Sequence, residues 1–430
     1  MLFFIHFIPI LLFISLFVGS GIYFWLLGMP NAFYQLSPVT AIIPAIALAW
    51  VIHRGTTQQK MYDFLDGVRH RDIIIMCIIF LLAGGFSEVT KQIGSVDATV
   101  NFALSFVPAQ FLLIGLFLVA AFISTSIGTS MGTIATIAPI GFALSQQVGI
   151  SPALCAATVV GGAMFGDNLS IISDTTIAAV MSQEADMKQK LKLNAKIAFF
   201  TSIITIILLA FQTNTQVVAD VTEYNIILVA PYILLIVLAI IGINVFVSLS
   251  LSVACAGVIG ALTSDHFGLL TFNQSLNKGF ISMNEIMLLS LMVGGLSGLA
   301  GKEFTKEVVN RLSILIERKN IGPKVTQLLI AKLVSIFDIL LANNTIAIIF
   351  TGEIARELTK KHKIPAHYTA AWLDIFSSVF QGVIPYGAQI LLASAIAQVS
   401  PLSVVPHVYY CYALFIVSVC YILFTKIRRI

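Results

Sequence analysis

Polar residues in this chain fall in short clusters between long apolar runs, and the runs set the architecture. They lie near 2–27, 36–52, 72–94, 108–127, 132–148, 152–183 and 196–212, then near 224–243, 245–262, 285–301, 324–342, 344–358, 365–399 and 406–425. A helix crosses the hydrocarbon core of a bilayer in about 20 apolar residues, so the pattern predicts an all-α polytopic membrane protein of about 10–14 membrane segments. The second seven runs repeat the first. Gly84-Gly85-Phe86-Ser87 returns as Gly294-Gly295-Leu296-Ser297, and Ile150-Ser151-Pro152-Ala153 is echoed by Lys363-Ile364-Pro365-Ala366. The offsets, 210 and 213 residues, point to a duplicated unit, with a first repeat over 1–212 and a second over 213–430.

Loop charge turns duplication into inversion. Cytoplasmic loops are enriched in Lys and Arg. The 53–72 connection carries Arg54, Lys60, Arg69 and Arg71, whereas its partner at 263–284 has, of these two residue types, only Lys278. The 95–107 connection has no basic residue; its partner at 302–324 holds Lys302, Lys306, Arg311, Arg318, Lys319 and Lys324. Lys188, Lys190, Lys192 and Lys196 follow the sixth run, while the matching 400–405 stretch is uncharged. With the basic tail Lys426, Arg428 and Arg429, the pattern places both termini in the cytoplasm and gives each repeat an odd number of crossings. Two copies in opposite orientation form an inverted-topology repeat, an architecture found mainly in secondary transporters. Within each repeat one pair of runs stays open. Runs 108–127 and 132–148 predict either two crossings or a re-entrant hairpin with its tip at Gly128–Gly132; 324–342 and 344–358 do the same around Asn343-Asn344-Thr345.

Composition secures the membrane assignment. The chain is 58% hydrophobic and 10% charged, with a mean hydropathy of +0.98, against about 25% charged residues in soluble domains. No polar stretch is long enough for a nucleotide-binding domain, and no G-x-x-x-x-G-K-[ST] loop occurs, so ATP is not expected as the energy source. The net charge of +4 follows from the loop bias, and no nucleic-acid partner is expected. Cys77, Cys155, Cys255, Cys411 and Cys420 are scattered through apolar surroundings and read as small core residues, without disulfides or a metal centre. The first run has no basic flank and no small-residue cleavage pattern, so it reads as a retained helix. The whole reads as a multi-pass protein of the cell (inner) membrane.

Polar groups deep in apolar runs are costly and tend to be functional. The richest cluster runs from Gly161 to Thr176 and contains Asp167, Asn168, Ser173, Asp174, Thr175 and Thr176. Gly161, Gly162 and Gly166 argue against a continuous helix there. A broken helix frees backbone carbonyls, which with carboxylate, amide and hydroxyl oxygens suit a small hard cation or a proton. The alternative is an external loop that these groups solvate. A second cluster, Ser124 to Thr133, offers Ser126, Thr129 and Ser130; its partner in the other half holds Asp338, Asn343, Asn344 and Thr345. Hydroxyls of this kind also serve helix–helix packing. The fourth cluster, Asp374 to Gln389, again breaks a helix through Gly382-x-x-Pro385-x-Gly387, and Asp374 is either an ion ligand or a structural partner. Glu88 reads as a headgroup-level residue beside Lys91, Glu353 as facing water, and the seven histidines as interfacial or structural. No H-E-x-x-H or G-x-S-x-G motif supports an intramembrane hydrolase, so the chain does not read as an enzyme.

The stretch GDNLSIISDTT (Gly166 to Thr176), preceded by STSIGTSMGT (Ser124 to Thr133), resembles the NhaC family of sodium/proton antiporters within the ion-transporter superfamily. The twin Gly-Gly motifs and IPYGAQ (Ile384 to Gln389) extend the likeness over most of the chain. Family motifs often carry a lysine and a proline where this chain has Asn168 and Ile171. The resemblance implies exchange of Na+ for H+ through an aspartate-centred site at the repeat interface, without a cofactor. Asp167 and Asp174 would titrate, supported by Asn168, Ser173, Thr175 and Thr176. Ser126, Thr129, Ser130, Asn343, Asn344, Thr345 and Asp374 would close the site. The family also includes exchangers of small organic solutes such as carboxylates and amino acids, in which the same aspartates would bind the coupling ion. A channel or a purely structural membrane protein is a third reading, and the broken acidic segments oppose it. A homodimer fits such a fold, though the sequence marks no interface.

Overall fold

Every regular element is helical among the residues that the computed structural model describes, namely 8–29, 35–106, 108, 111–212, 223–264, 266–300 and 322–425. In the first half the helices are α1 (Ile8–Leu26), α2 (Pro38–Ile52), α3 (Thr57–Val68), α4 (Arg71–Gln92), α5 (Ser95–Leu104), α6 (Leu112–Ile127), α7 (Ser130–Val148), α8 (Pro152–Leu169), α9 (Asp174–Gln183) and α10 (Met187–Gln212). The second half holds α11 (Ala230–Ile241), α12 (Val245–Thr263), α13 (Leu269–Ser282), α14 (284–300), α15 (Pro323–Leu341), α16 (Asn344–Lys361), α17 (Ala366–Gln381), α18 (Ala388–Ile396), α19 (Pro401–Val404) and α20 (Tyr409–Phe424). Among the described residues, Ile73–Gln92, Pro152–Gln183, Met187–Gln212, Val245–Thr263 and Leu269–Ala300 are long and apolar enough to cross a membrane. Shorter apolar helices of 10–17 residues cover most of the other predicted runs. The basic residues from Lys302 to Lys319 and the tail from Lys426 lie outside the described residues.

Two connections read as loops are helices, and glycines explain where they sit. The 53–72 connection forms α3, and the 263–284 connection forms α13. A Cβ on Gly67 of α3 would stand 2.1 Å from the Gly294 carbonyl oxygen, and one on Gly279 of α13 would stand 2.3 Å from that of Gly84. Each short helix therefore lies backbone to backbone against the Gly-Gly motif of the other half: α3 on α14, α13 on α4. The same close approach joins α6 to α8. A Cβ on Gly162 would meet the Phe117 carbonyl at 2.6 Å, and one on Gly166 would meet the Thr125 amide at 2.4 Å. Small residues four apart commonly serve such contacts in membrane helices. Gly161, Gly162 and Gly166 thus do not break their helix as the sequence reading expected. α8 runs through all three, and the interruption comes later, at Ser170–Ser173.

Left-handed backbone recurs at one spacing. Gly28 and Gly242, Gly128 and Ala342, Gly149 and Lys363, and Glu184 and Gln398 have φ between 48° and 84°, and the members of each pair are 214 residues apart. Every pair lies at or just beyond a helix C-terminus, where this conformation lets the chain turn away. The four non-glycine residues hold it against a steric penalty of about 1–2 kcal/mol each.

Four chain interruptions converge in the interior. α6 and α7 form a hairpin whose tip, Gly128 to Ser130, is buried at Gly128 and Ser130. α15 and α16 form a second, with Ala342, Asn343 and Asn344 buried at its tip. The other two interruptions are Ser170–Ser173, between α8 and α9, and Gly382–Gly387, between α17 and α18.

Because Gly279 and Gly67 leave no room for a side chain, Gly279→Val should destabilise the fold by about 3 kcal/mol, the upper range for overpacking. Gly115→Ala, at a position with open space around its Cβ, should not. Thermal unfolding of the detergent-solubilised protein checks the pair.

Candidate functional site

The first interruption carries the acidic groups. Asp167 sits in the last turn of α8, 2% exposed, and its Oδ1 accepts a hydrogen bond from Ser173 Oγ at 2.8 Å. Ser173 and Thr175 hydroxyls lie 2.8 Å apart, and the Ser130 hydroxyl at the first hairpin tip also faces Asp167. No cation pairs with this carboxylate among the described residues. Asp174 opens α9, where its Oδ1 accepts from the Thr175 amide at 3.0 Å. A carboxylate at a helix N-terminus is favoured by the exposed amides and the helix dipole. From the second hairpin, Thr345 Oγ1 donates to Asp174 Oδ2 at 2.9 Å. Asp174 is solvent-accessible and Asp167 is enclosed, so the break has an outer and an inner acid.

Both hairpin tips and the second interruption close around this break. A Cβ on Gly128 would stand 2.5 Å from Ile172 and 3.0 Å from the Ser170 hydroxyl. Gln389 Nε2 donates to Ser130 Oγ at 3.2 Å. Gln381 Nε2 donates to Gln389 Oε1 at 2.8 Å and to the Ala342 carbonyl at 3.3 Å. On the α3 side, a cavity of about 190 Å³ lies between α3, α14 and the second tip, bordered by His70, Ser290, Ser297, Asn343 and Tyr386.

Other expected residues stand elsewhere. Ser126 donates to the Phe122 carbonyl of its own helix and so is not turned to Asp167. Thr129 and Asn343 are N-caps, accepting from the Gly132 and Ile346 amides at 3.5 and 3.0 Å, and Asn344 Oδ1 accepts from the Thr345 amide. Glu88 pairs with Lys278 of α13 at 2.8 Å, replacing the expected neighbour Lys91. Asp374 is fully buried, and Lys190 Nζ lies 2.5 Å from its Oδ2. Thr176 Oγ1 accepts from Lys190 at 2.7 Å, and the Asn168 carbonyl accepts from it at 3.4 Å and from Asn194 at 3.0 Å. Lys190 is the residue that sequence reasoning misplaced. Counted as a cytoplasmic loop charge, it is 0% exposed and belongs to α10. Its spacing from Asn194, one helical turn, was the available signal that both face the same side.

The Na+/H+ antiporter family pattern matches residues 67–213. The chain is 23% identical over 384 residues to the Na+/H+ antiporter NhaC of Bacillus subtilis, covering 81% of this chain and 83% of that one. Over 100 residues it is 34% identical to NhaC of Alkalihalophilus pseudofirmus, covering 23% of this chain and 22% of that one. Over 115 residues it is 29% identical to the malate-2H+/Na+-lactate antiporter of B. subtilis, covering 27% of this chain and 25% of that one. The chain is thus similar to the Na+/H+ antiporter family over residues 67–213 and, over most of its length, to an NhaC protein.

Proposed function

We propose that the protein is a secondary antiporter of the cell membrane that exchanges Na+ for H+ at Asp167 and Asp174. The observation that carries this reading is Asp167 itself, a buried carboxylate that accepts from the Ser173 hydroxyl, with a second carboxylate, Asp174, across the break between α8 and α9. Burying an uncompensated charge is strongly unfavourable, so the group calls for a mobile cation. A proton and Na+ compete for the same oxygens, and exchange follows when one occupant must leave before the other binds. Ser173, Thr175, Ser130 and Thr345 supply the neutral oxygens. Asp374 is held by Lys190 and stands outside the exchanging pair.

The same reading takes the halves, 1–212 and 213–430, as copies of opposite orientation with both termini in the cytoplasm. It is supported by the 214-residue recurrence of left-handed backbone and by the reciprocal glycine contacts of α3 on α14 and α13 on α4. Burial of both hairpin tips supports re-entrant hairpins over full crossings. Small carboxylates are the weaker substrate class, because Asn343 and Asn344, expected to bind them, are engaged in capping hydrogen bonds.

In proteoliposomes, Asp167→Asn and Asp174→Asn should each lower Na+/H+ exchange by about 100-fold, about 2.7 kcal/mol, with membrane insertion unchanged. Full exchange by either variant would remove that residue from the mechanism. Thr345→Val, which deletes the hydroxyl donated to Asp174, should raise the half-saturating Na+ concentration by about 5- to 10-fold, the worth of one hydrogen bond to a charged group. If one proton is displaced per Na+, raising pH by one unit in the competing range lowers half-saturating Na+ by up to about tenfold; a pH-independent value contradicts a shared site. Flux driven by a small carboxylate, with none from Na+ and a pH gradient alone, would favour the organic-solute reading instead.

A further inference from the structure

Asp374 sits in a polar pocket of its own. The last carbonyls of a helix have no intrahelical partner and carry partial negative charge. At the end of α8 the Asn168 carbonyl is met by Lys190 Nζ at 3.4 Å and Asn194 Nδ2 at 3.0 Å. The same ammonium contacts Thr176 Oγ1 at 2.7 Å and Asp374 Oδ2 at 2.5 Å. Its surroundings are therefore one carboxylate, one helix-end carbonyl and one hydroxyl, contributed by α17, α8 and α9. Carboxylate, carbonyl and hydroxyl oxygens at an interrupted helix are the donors that coordinate alkali cations in transport proteins. Lys190 and Asp374 side chains are both 0% exposed, so no solvent cation competes there. Two further oxygens, Asp374 Oδ1 and Asn194 Oδ1, are buried and meet no hydrogen-bond donor among the described residues. The pocket offers more acceptor capacity than one ammonium uses.

We propose that this pocket is a second monovalent-cation site and that the Lys190 ammonium is its tethered occupant. Three carboxylates, Asp167, Asp174 and Asp374, approach one another at the break, and the resident ammonium neutralises one of them. It thereby fixes at two the number of carboxylates open to mobile cations. Lys190 brings a positive charge from another helix to the backbone carbonyl of Asn168, the residue that follows Asp167. The inference rests on the Na+ reading above, and exchange by the unaltered protein is measured separately, so the two can fail independently.

The test is equilibrium binding of radioactive Na+ to the purified full-length protein. Lys190→Ala should bind one more Na+ per chain than the unaltered protein, and Lys190→Ala with Asp374→Asn should return to the original number. Methylammonium, which can stand where the lysine head stood, should raise the unfolding temperature of Lys190→Ala and leave the unaltered protein unmoved. An unchanged Na+ count in Lys190→Ala, or an extra Na+ that persists in the double variant, overturns the proposal. Should Lys190→Ala fail to accumulate, Asp374→Asn carries the test. It leaves the ammonium uncompensated against the carbonyl of Asn168, the residue after Asp167, and should raise half-saturating Na+ by at least about tenfold through Coulomb repulsion. Removing both charges, Lys190→Met with Asp374→Leu, should restore it to within about threefold, as buried pairs replaced together are tolerated. An Asp374→Asn variant with unaltered Na+ dependence sinks the idea.

Discussion

An interrupted helix inside a membrane protein leaves backbone amides and carbonyls with no water to satisfy them, and this chain buries four such interruptions side by side. Each must be supplied with hydrogen bonds from nearby side chains. Thr129 and Asn343 cap the returning helices of the two hairpins, Asp174 accepts from the Thr175 amide at the start of α9, and Gln381 reaches the Ala342 carbonyl. The polar residues that meet this need are the same ones that make the centre hospitable to an ion. Structure and chemistry share a cause here: the breaks demand oxygens, and those oxygens are the ones the proposed site uses.

Left-handed backbone recurs at a fixed spacing where charge does not. At the 214-residue spacing, Gly128 answers Ala342 and Glu184 answers Gln398, all with positive φ. At the same spacing Asp167 falls on Gln381, Asp174 on Ala388 and Thr175 on Gln389. The second interruption is therefore lined by neutral amides where the first has carboxylates. A buried carboxylate costs several kcal/mol of desolvation, and the second half carries one without a cation partner among the described residues, Asp338 of α15, 0% exposed. Asp374 is tolerated because Lys190 meets it.

Much of the architecture could be read from the sequence because it is written in short-range pattern. Apolar runs, paired Gly-Gly motifs and the Asp167–Thr176 cluster carry their meaning within a dozen residues. What escaped was written across the fold. The glycines of α8 look like helix breakers in isolation, and only the approach of α6 makes them packing residues. α3 and α13 are polar enough to pass for loops until the Gly-Gly motif of the opposite half lies beneath them. Lys190 sits among Lys188, Lys192 and Lys196, and nothing local distinguishes it. Its partner is 184 residues away, and Glu88 is likewise paired across the fold, with Lys278 of α13, a helix whose polar sequence passes for a connection.

The two kinds of contact divide the molecule unevenly. Where α3 meets α14 and α13 meets α4, backbone touches backbone, and close-packed interiors resist gradual deformation. Hydrogen bonds from hairpin tips to broken helices, such as Thr345 to Asp174 and Gln389 to Ser130, tie a second group together. Between these groups, at the second tip, lies the 190 Å³ cavity bordered by Ser297, Asn343 and Tyr386. Local opening is cheapest where buried apolar contact is sparse. The seam between the glycine-locked frame and the hydrogen-bonded tips runs past that cavity, beside the tip whose Thr345 donates to the outer aspartate.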